Sequence, residues 1–201
     1  MSANRTSLSE QAIRSELLAA LWRDRSNEAV LLEEVGLLHG SYRADVVVLD
    51  DELSAYEIKS AADTLVRLPH QARAYGAVFD HVTVVTTANH LAGVLDLVPE
   101  WWGIMMASDR GGSTSLMTLR QPELNPSPDV RALASLLWKE EAASLLAGVP
   151  SAGDKQLRTR SAAYDALSAA FTWTELRQKV TEVLRLRSDW LTAYTPASCG
   201  D

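Results

Sequence analysis

Cysteine is almost absent from this sequence, and long apolar runs are absent altogether. The single thiol, Cys199, stands near the end of the 201 residues, so no disulfide can form within the chain and no zinc site can rest on paired cysteines. No apolar run approaches the roughly 18 residues of a membrane span. The opening residues also lack the apolar segment of a secretory signal. These absences predict a cytoplasmic protein with no membrane partner.

Positive charge is also scarce for a protein that would bind nucleic acid. The chain has 19 basic and 26 acidic side chains and a formal net charge of −7. This acidity argues against tight, nonspecific binding of a duplex, which normally requires a basic surface. With 47% hydrophobic and 22% charged residues, the composition is otherwise that of an ordinary globular protein.

The most informative stretch is a predicted hairpin in the first third of the chain. β-branched and apolar residues fill 43–50 and 53–60, and the acidic turn Asp50-Asp51-Glu52 separates them. If the hairpin is centred on Asp51, Asp45 lies opposite Glu57, with their Cβ atoms about 4.5–5.5 Å apart. Lys59 shares a face with Glu57 because strand side chains alternate. The pattern therefore predicts that the three side chains converge.

Two opposed carboxylates repel each other unless a positive charge lies between them. A divalent cation with oxygen ligands meets that need, and Mg²⁺ commonly binds one or two carboxylates together with waters. Lys59 would then orient an attacking water beside the ion. An ordinary solvated ion cluster fits the same loose spacing. The apolar run Val46 to Leu49, and Ile58 between two charges, favour a buried strand instead.

Strand and helix patterns alternate after the hairpin. Strands are predicted over 81–87 and 101–108, with a helix over 88–98 between them, which is typical of a mixed α/β sheet with crossovers. Residues 28–40 fit either a helix end or a strand. An amphipathic helix over 7–25 is expected to pack against the sheet.

Three prolines within residues 121–129 mark a linker. Helical patterns follow over 129–148, 155–171 and 174–194. We therefore predict a core over 1–124 and a helical subdomain or extension over 129–201. Lys155, Arg158 and Arg160 form a small basic group in the second part, which fits either phosphate contacts or a solvated helix start.

Asp45, followed by Glu57-Ile58-Lys59, resembles the motif of the PD-(D/E)XK nuclease superfamily. Gln71-Ala-Arg-Ala-Tyr75 resembles the Q-x-x-x-Y motif of its RecB-like branch, and residues 30–105 are similar to a family of small bacterial RecB/Mrr-like proteins within it. The resemblance implies a restriction-endonuclease-like fold, with a mixed central sheet flanked by helices and, here, a C-terminal helical extension.

The resemblance also implies the roles of individual residues. Asp45, Glu57 and the backbone carbonyl of Ile58 would bind Mg²⁺, for which Mn²⁺ could substitute, and Lys59 would assist the water. An upstream acid would add a ligand, and Glu34 is preferred to Glu33 because it directly precedes the Val-Gly-Leu stretch.

Substrate contacts are expected from residues after the hairpin, namely Gln71, Tyr75, Arg67 and Arg73, with support of the metal site as the alternative for Gln71 and Tyr75. The implied activity is metal-dependent hydrolysis of nucleic-acid phosphodiester bonds, with DNA as the expected substrate. The alternative is a catalytically inactive module of the same fold that binds nucleic acid or a protein. The sequence leaves the oligomeric state open, and a homodimer is one of the states it allows.

Overall fold

A single six-stranded mixed sheet forms the centre of the fold. The computed structural model describes residues 8–26, 28–149 and 159–187. The strands are β1 (Val30–Leu37), β2 (Tyr42–Leu49), β3 (Leu53–Lys59), β4 (His81–Thr87), β5 (Gly103–Asp109) and β6 (Thr114–Arg120). They lie in the order of the sequence. β1, β2 and β3 are antiparallel, β3, β4 and β5 are parallel, and β6 is antiparallel to β5. The predicted mixed α/β sheet is confirmed.

Helices lie before, within and after the sheet. They are α1 (Glu10–Asp24), α2 (Leu68–Gly76), α3 (Leu91–Leu97), α4 (Val130–Ala134), α5 (Lys139–Leu146), α6 (Arg160–Ala170) and α7 (Trp173–Leu186). α2 and α3 provide the crossovers that the parallel strands require. In the part of the chain that the structure describes, no helix combines the length and the apolar character needed to cross a membrane.

Two segments differ from a simple helical pattern. Residues 28–40, which fitted either a helix end or a strand, form strand β1 and a turn. The prediction of one helix over 129–148 was wrong, because the chain leaves the helix after Ala134 and re-enters it at Lys139. Trp138 has an extended backbone there, and the Glu141 carboxylate accepts a hydrogen bond from its N–H at 2.6 Å, which starts a new helix.

Among the described helices, α1 is the one that packs in the apolar cluster on one face of the sheet. Ser9 caps its first turn by accepting a hydrogen bond from the Ala12 N–H at 3.2 Å. Ile13 and Leu17 are fully buried and pack in a cluster with Val46 and Ile58 of the central strands. Each buried aliphatic side chain of this kind contributes about 1.5–3 kcal/mol. α1 is thereby fixed across β2 and β3, beside the residues of interest.

The opposite face carries the larger core. Leu68 and Tyr75 of α2 belong to it, and so do Leu133 and Leu176 of the C-terminal helices. The helical segment therefore shares its apolar core with the sheet. The division into parts over 1–124 and 129–201 stays a prediction.

A buried aspartate ties the C-terminal helices to the sheet. Asp80, just before β4, is 2% exposed and accepts hydrogen bonds from the Leu53 N–H and the Trp173 indole, both at 2.8 Å. Arg177 pairs with the same carboxylate at 3.0 Å. Cys199, Lys155 and Arg158 lie outside the described residues, and Arg160 is exposed at the start of α6.

Candidate active site

A cleft of about 740 Å³ opens where β2 and β3 separate. α1 forms one wall, the β1–β2 hairpin a second, and the end of β3 with the start of α2 a third. It is lined by Glu10, Arg14, Glu34, Gly36, Gly40, Ser41, Tyr42, Arg43, Asp45, Glu57, Ile58, Lys59, Asp63, Arg67 and Gln71. The predicted Asp45, Glu57 and Lys59 are thus brought to one cavity.

The strand pairing explains why these residues meet. β2 and β3 pair from Leu49 with Leu53 to Val46 with Tyr56, which is the register of a hairpin centred on Asp51 and confirms that expectation. Asp45 and Glu57 therefore stand opposite each other at the next rung. There the Ile58 N–H donates to Asp45 Oδ2 at 2.7 Å, so a side chain replaces the backbone partner at the point of separation.

A third acid stands at the same rung. β1 and β2 pair on both sides of Glu34 and Asp45, which places these two across from each other. We call Glu34, Asp45 and Glu57 the acid row. Glu34 has a left-handed backbone, with φ at 58°. Such a conformation is uncommon for a residue other than glycine, and it interrupts the strand at the cleft.

Strands β1 and β2 both lose their alternation at the acid row. Leu32 and Val35 of β1 belong to the same core, although they are three residues apart, and so do Ala44 and Val47 of β2. Residues three apart in a regular strand face opposite sides of the sheet. The backbone therefore turns locally in both strands, and this turn gives Glu34 and Asp45 access to the cleft.

Three donors hold the Glu57 carboxylate. The Lys59 ammonium lies 2.5 Å from Oε1, and the Gln71 amide donates to the same oxygen at 2.6 Å. The Tyr75 hydroxyl hydrogen-bonds to Oε2. Glu57 and Lys59 are only 2% and 5% exposed, so the pair is buried and its charges are little screened.

Tyr75 and Gln71 thus contact Glu57 from α2. The Tyr75 hydroxyl also lies 2.7 Å from the Arg43 carbonyl, but it has one hydrogen, and the carboxylate is the stronger acceptor. Burial, and then the charge of Glu57, raise the pKa of Tyr75 well above its usual value. Tyr75 is fully buried and is not among the residues that line the cleft, and its role in substrate contact or in support of the site stays a prediction.

Gln71 combines burial with a free acceptor. It lines the cleft and is nine-tenths buried, and its Oε1 has no hydrogen-bond partner within the described residues. A buried amide oxygen without a partner is costly unless water or another donor reaches it. A water in the cleft, free or bound to an ion, would satisfy this atom.

Arg14 of α1 is the cation at the centre of the acid row. Its Nη2 lies 2.8 Å from Glu34 Oε1 and 3.2 Å from Asp45 Oδ1, and its Nη1 donates to the Asp45 carbonyl at 2.9 Å. Its Nε donates to Glu10 at 2.6 Å, and Nη1 also contacts Glu33 at 3.5 Å. Burial alone would lower the pKa of Arg14, but the hydrogen bond to Glu10 and the charge of Asp45 raise it.

The negative charge of the Asp45 carboxylate is unfavourable despite these partners. Burial, and then the nearby charge of Glu57, raise the pKa of the Asp45 carboxyl to about 7. The hydrogen bond from Ile58 and the charge of Arg14 act in the other direction without cancelling the shift. An additional positive charge between Asp45 and Glu57 would relieve the repulsion.

The other predicted site residues lie at the edge of the cleft or outside it. Arg67 lines the cleft and is exposed just before α2, whereas Arg73 is exposed and is not among the lining residues. Arg43, at the mouth, keeps two-thirds of its side chain exposed while its Nε contacts Glu34 at 2.8 Å. Glu34 is therefore held by two arginines.

The donors available to a metal are of the type that Mg²⁺ prefers. Within the described residues, no three acidic, histidine or cysteine side chains are grouped closely enough to form a complete metal site. Two carboxylates, Asp45 and Glu57, remain, and the Ile58 carbonyl points to the same side of β3 as its N–H. Two carboxylates, a carbonyl and waters are a sufficient set for Mg²⁺.

The sequence analysis missed Arg14, although a signal for it exists. Arg14 stands three and four residues before Leu17 and Leu18, so it lies on the apolar stripe that packs against the sheet. A charged residue on that stripe must find a partner when the helix docks. The helical pattern does not show which partner that is, because Asp45 lies 31 residues away in the sequence.

Comparison with known proteins assigns the chain to a family. The family model described as Bacteriophage P4 protein cII matches residues 3–194. The chain belongs to this cII family. Protein cII of Enterobacteria phage P4 is 25% identical over 140 residues, which are 69% of this chain and 53% of the phage protein. The chain thus spans about half the length of that curated relative.

A solved structure has a looser similarity. The SPO1766 protein of unknown function from Silicibacter pomeroyi is 18% identical, with a TM-score of 0.45, and the match covers 74% of this chain and 98% of that one. None of these descriptions states an activity. Membership of the cII family therefore brings no function with it, and a function has to be argued from the cleft.

Proposed function

We propose that the chain is a Mg²⁺-dependent phosphodiesterase that hydrolyses nucleic acid, with DNA as the expected substrate, and that it is a divergent member of the PD-(D/E)XK superfamily. One observation carries this proposal: Asp45 and Glu57 face each other at the fork of two strands, with Lys59 beside Glu57. A cytoplasmic location belongs to the same proposal, since cellular nucleic acid would be met there.

Asp45, Glu57 and the Ile58 carbonyl would hold the ion, and Mn²⁺ could substitute for Mg²⁺. The raised pKa of Asp45 supports this, because burial and the charge of Glu57 leave the pair short of positive charge. When bound, the ion supplies charge neutralisation at phosphorus and lowers the pKa of a water. The free Oε1 of Gln71 is a ready acceptor for such a water.

Lys59 is the residue suited to orient the attacking water. Its ammonium group is buried beside Glu57, so it is held in place and its charge acts in a weakly screened environment. From there it can hold the water in line with the phosphorus and balance the charge that develops on the phosphate oxygens. Gln71 and Tyr75 keep Glu57 in the orientation that this requires.

Substrate phosphates would meet arginines at the mouth of the cleft. Arg67 is exposed beside α2 and Arg43 keeps most of its side chain in solvent. The net charge of −7 makes a long nonspecific contact with a duplex unfavourable. A nucleic acid that contacts the protein only at the cleft, through a strand end or a single-stranded region, fits this charge distribution better.

The test is cleavage of labelled single- and double-stranded DNA with Mg²⁺, Mn²⁺ or EDTA. We expect metal-dependent cleavage that Asp45→Asn and Lys59→Ala each reduce by at least about a hundredfold, the usual range for a lost acid–base group. Lys59→Ala should still bind Mn²⁺. Asp96→Asn and Lys139→Ala are matched controls, because they change residues of the same types that do not line the cleft. Both variants should cleave normally.

A non-catalytic module is the second candidate. Every oxygen of the Glu57 and Asp45 carboxylates already has a protein partner, so the pair can be stable without an ion. Calorimetry with Mn²⁺ separates the two candidates. Heat of binding in the wild type that disappears in Asp45→Asn favours the enzyme, whereas no heat in either protein, together with no cleavage, favours the module.

A further inference from the structure

Arg14 lies between two members of the acid row. Its Nη2 bridges Glu34 Oε1 at 2.8 Å and Asp45 Oδ1 at 3.2 Å. Glu34 and Asp45 have the oxygen donors that would hold a divalent cation, but a guanidinium already lies between them. The acid row thus has two gaps, Glu34–Asp45 and Asp45–Glu57, and a protein cation fills the first.

The position of Arg14 is fixed by several groups. Its donors also engage the Asp45 carbonyl, Glu10 and Glu33, and only 16% of its side chain is exposed. Arginine does not lose its proton at any ordinary pH, so this charge is permanent. Packing of α1 through Ile13 and Leu17 sets the distance between the helix and the sheet.

We propose that Arg14 replaces the second metal ion of the acid row, which makes the cleft a site for a single divalent ion held by Asp45 and Glu57. Glu34 is then a partner of Arg14 and Arg43 and not a metal ligand. This inference rests on the proposed function for the ion itself, but it concerns the number of ions and the residue that sets it. A two-ion site would need room for a second cation beside the first, and the Arg14 guanidinium takes the room between Glu34 and Asp45.

The experiment counts Mn²⁺ bound to the 201-residue chain by calorimetry and by electron paramagnetic resonance. We expect one Mn²⁺ per wild-type chain. Arg14→Gln should gain a second, weaker Mn²⁺ with the spin coupling of neighbouring ions, and Arg14→Gln with Glu34→Gln should return to one. Arg23→Gln, which changes an exposed arginine of the same helix, should bind one.

A second variant keeps the inference testable if Arg14→Gln fails to fold. Glu34→Gln changes a partly exposed side chain, and we expect its Mn²⁺ affinity to stay within about twofold of wild type, whereas loss of a true ligand or its support costs about 10–100-fold.

The outcomes separate the two claims. Two ions in the wild type, one ion in a folded Arg14→Gln variant, or tenfold weaker binding in Glu34→Gln would overturn the role of Arg14 and leave the nuclease proposal standing. No Mn²⁺ bound to the wild type would overturn both.

Discussion

At the level of single side chains, Asp45 is held between two hydrogen-bond donors that come from different elements. The Arg14 guanidinium contacts Oδ1 from α1, and the Ile58 N–H contacts Oδ2 from β3. These contacts fix the direction of the carboxylate but leave it close to Glu57. The result is a group whose orientation is stable while its charge is unfavourable, and this has a measurable consequence.

We expect the Asp45 carboxyl to contribute less stability to the metal-free protein as the pH rises from about 4 to about 7. Burial, and then Glu57, raise the folded-state pKa of Asp45 to about 7, whereas an unfolded aspartate titrates near about 3.9. The folded state therefore binds the Asp45 proton more tightly than the unfolded state does. The resulting contribution to the free energy of unfolding is full below about pH 4 and is lost as the pH passes about 7. The slope is at most about 1.4 kcal/mol per pH unit.

Urea unfolding of wild type and Asp45→Asn across this pH range, both in EDTA, isolates the group, since other carboxylates cancel in the difference. The wild type should become progressively less stable relative to the variant as the pH rises. A difference that does not change with pH would contradict the raised pKa.

Tyr75→Phe should destabilise the protein by about 1–3 kcal/mol, because it removes a donor from the buried carboxylate of Glu57. Tyr164→Phe is the matched comparison. Tyr164 is likewise a buried residue, at 1% exposed, but its hydroxyl donates to a neutral acceptor, the Leu137 carbonyl at 2.7 Å. Urea unfolding should show the larger loss for Tyr75→Phe, and equal losses would contradict a stronger hydrogen bond from Tyr75 to Glu57.

Whether a site residue can be predicted from the sequence depends on how far apart it and its partners lie along the chain. Asp45, Glu57 and Lys59 follow from counting residues around one short turn, because a hairpin fixes its own register. The partners of Arg14 do not follow, since they depend on how α1 docks, and the apolar stripe shows only that Arg14 needs a partner. Glu34 was preferred to Glu33 through the resemblance, because counting residues does not reveal a left-handed backbone within a strand.

At the level of whole elements, β5 lies so close to its neighbours at Gly103 that a side chain there would have no room. A Cβ placed on Gly103 would lie 2.6 Å from Thr83 Oγ1 of β4 and 2.9 Å from Pro122 Cδ, which follows β6. Both distances are too short for real contacts. The glycine is therefore needed for space, whatever its backbone angles.

Gly103→Ala should cost about 1–3 kcal/mol, as expected for overpacking in a filled interior. Gly36→Ala is its control, because a Cβ there meets only an ordinary contact at 3.9 Å. Thermal unfolding should separate the two variants clearly. A Gly103→Ala protein as stable as the control would mean that Pro122 can move aside.

The elements themselves were predictable where a single period extended over their whole length. β2, β3 and β4 match the alternating or β-branched runs that predicted them. The break between α4 and α5 was not predictable from periodicity, because Leu136, Leu137 and Trp138 continue an apolar helical pattern. Tertiary packing of Leu136 and Leu137 in the larger core replaces the helix there.

At the level of the whole molecule, Asp80 joins segments that are far apart in the sequence. Its carboxylate binds the start of β3 and two side chains of α7, Trp173 and Arg177. Apolar packing holds the C-terminal helices against the sheet, and this buried ion pair fixes the orientation of α7. The composition and the linker around residue 125 gave no sign of this contact.

Asp80→Ala should lower the free energy of unfolding by about 3–5 kcal/mol, since it leaves a largely buried arginine and a backbone N–H without partners. Asp165→Ala, which breaks an exposed pair with Arg131, should cost no more than about 1 kcal/mol. Chemical denaturation measures both. Similar small losses would show that α7 is held by apolar packing alone.

The acid row also constrains how this chain can change in length. Glu34, Asp45 and Glu57 stay level only because the two turns between them contain fixed numbers of residues. A one-residue insertion or deletion in either turn would slide one strand past the next and move the acids apart by a full rung. The lengths of these turns are therefore fixed, so an inserted residue near 38–41 or 50–52 would do more harm than most substitutions in the cleft.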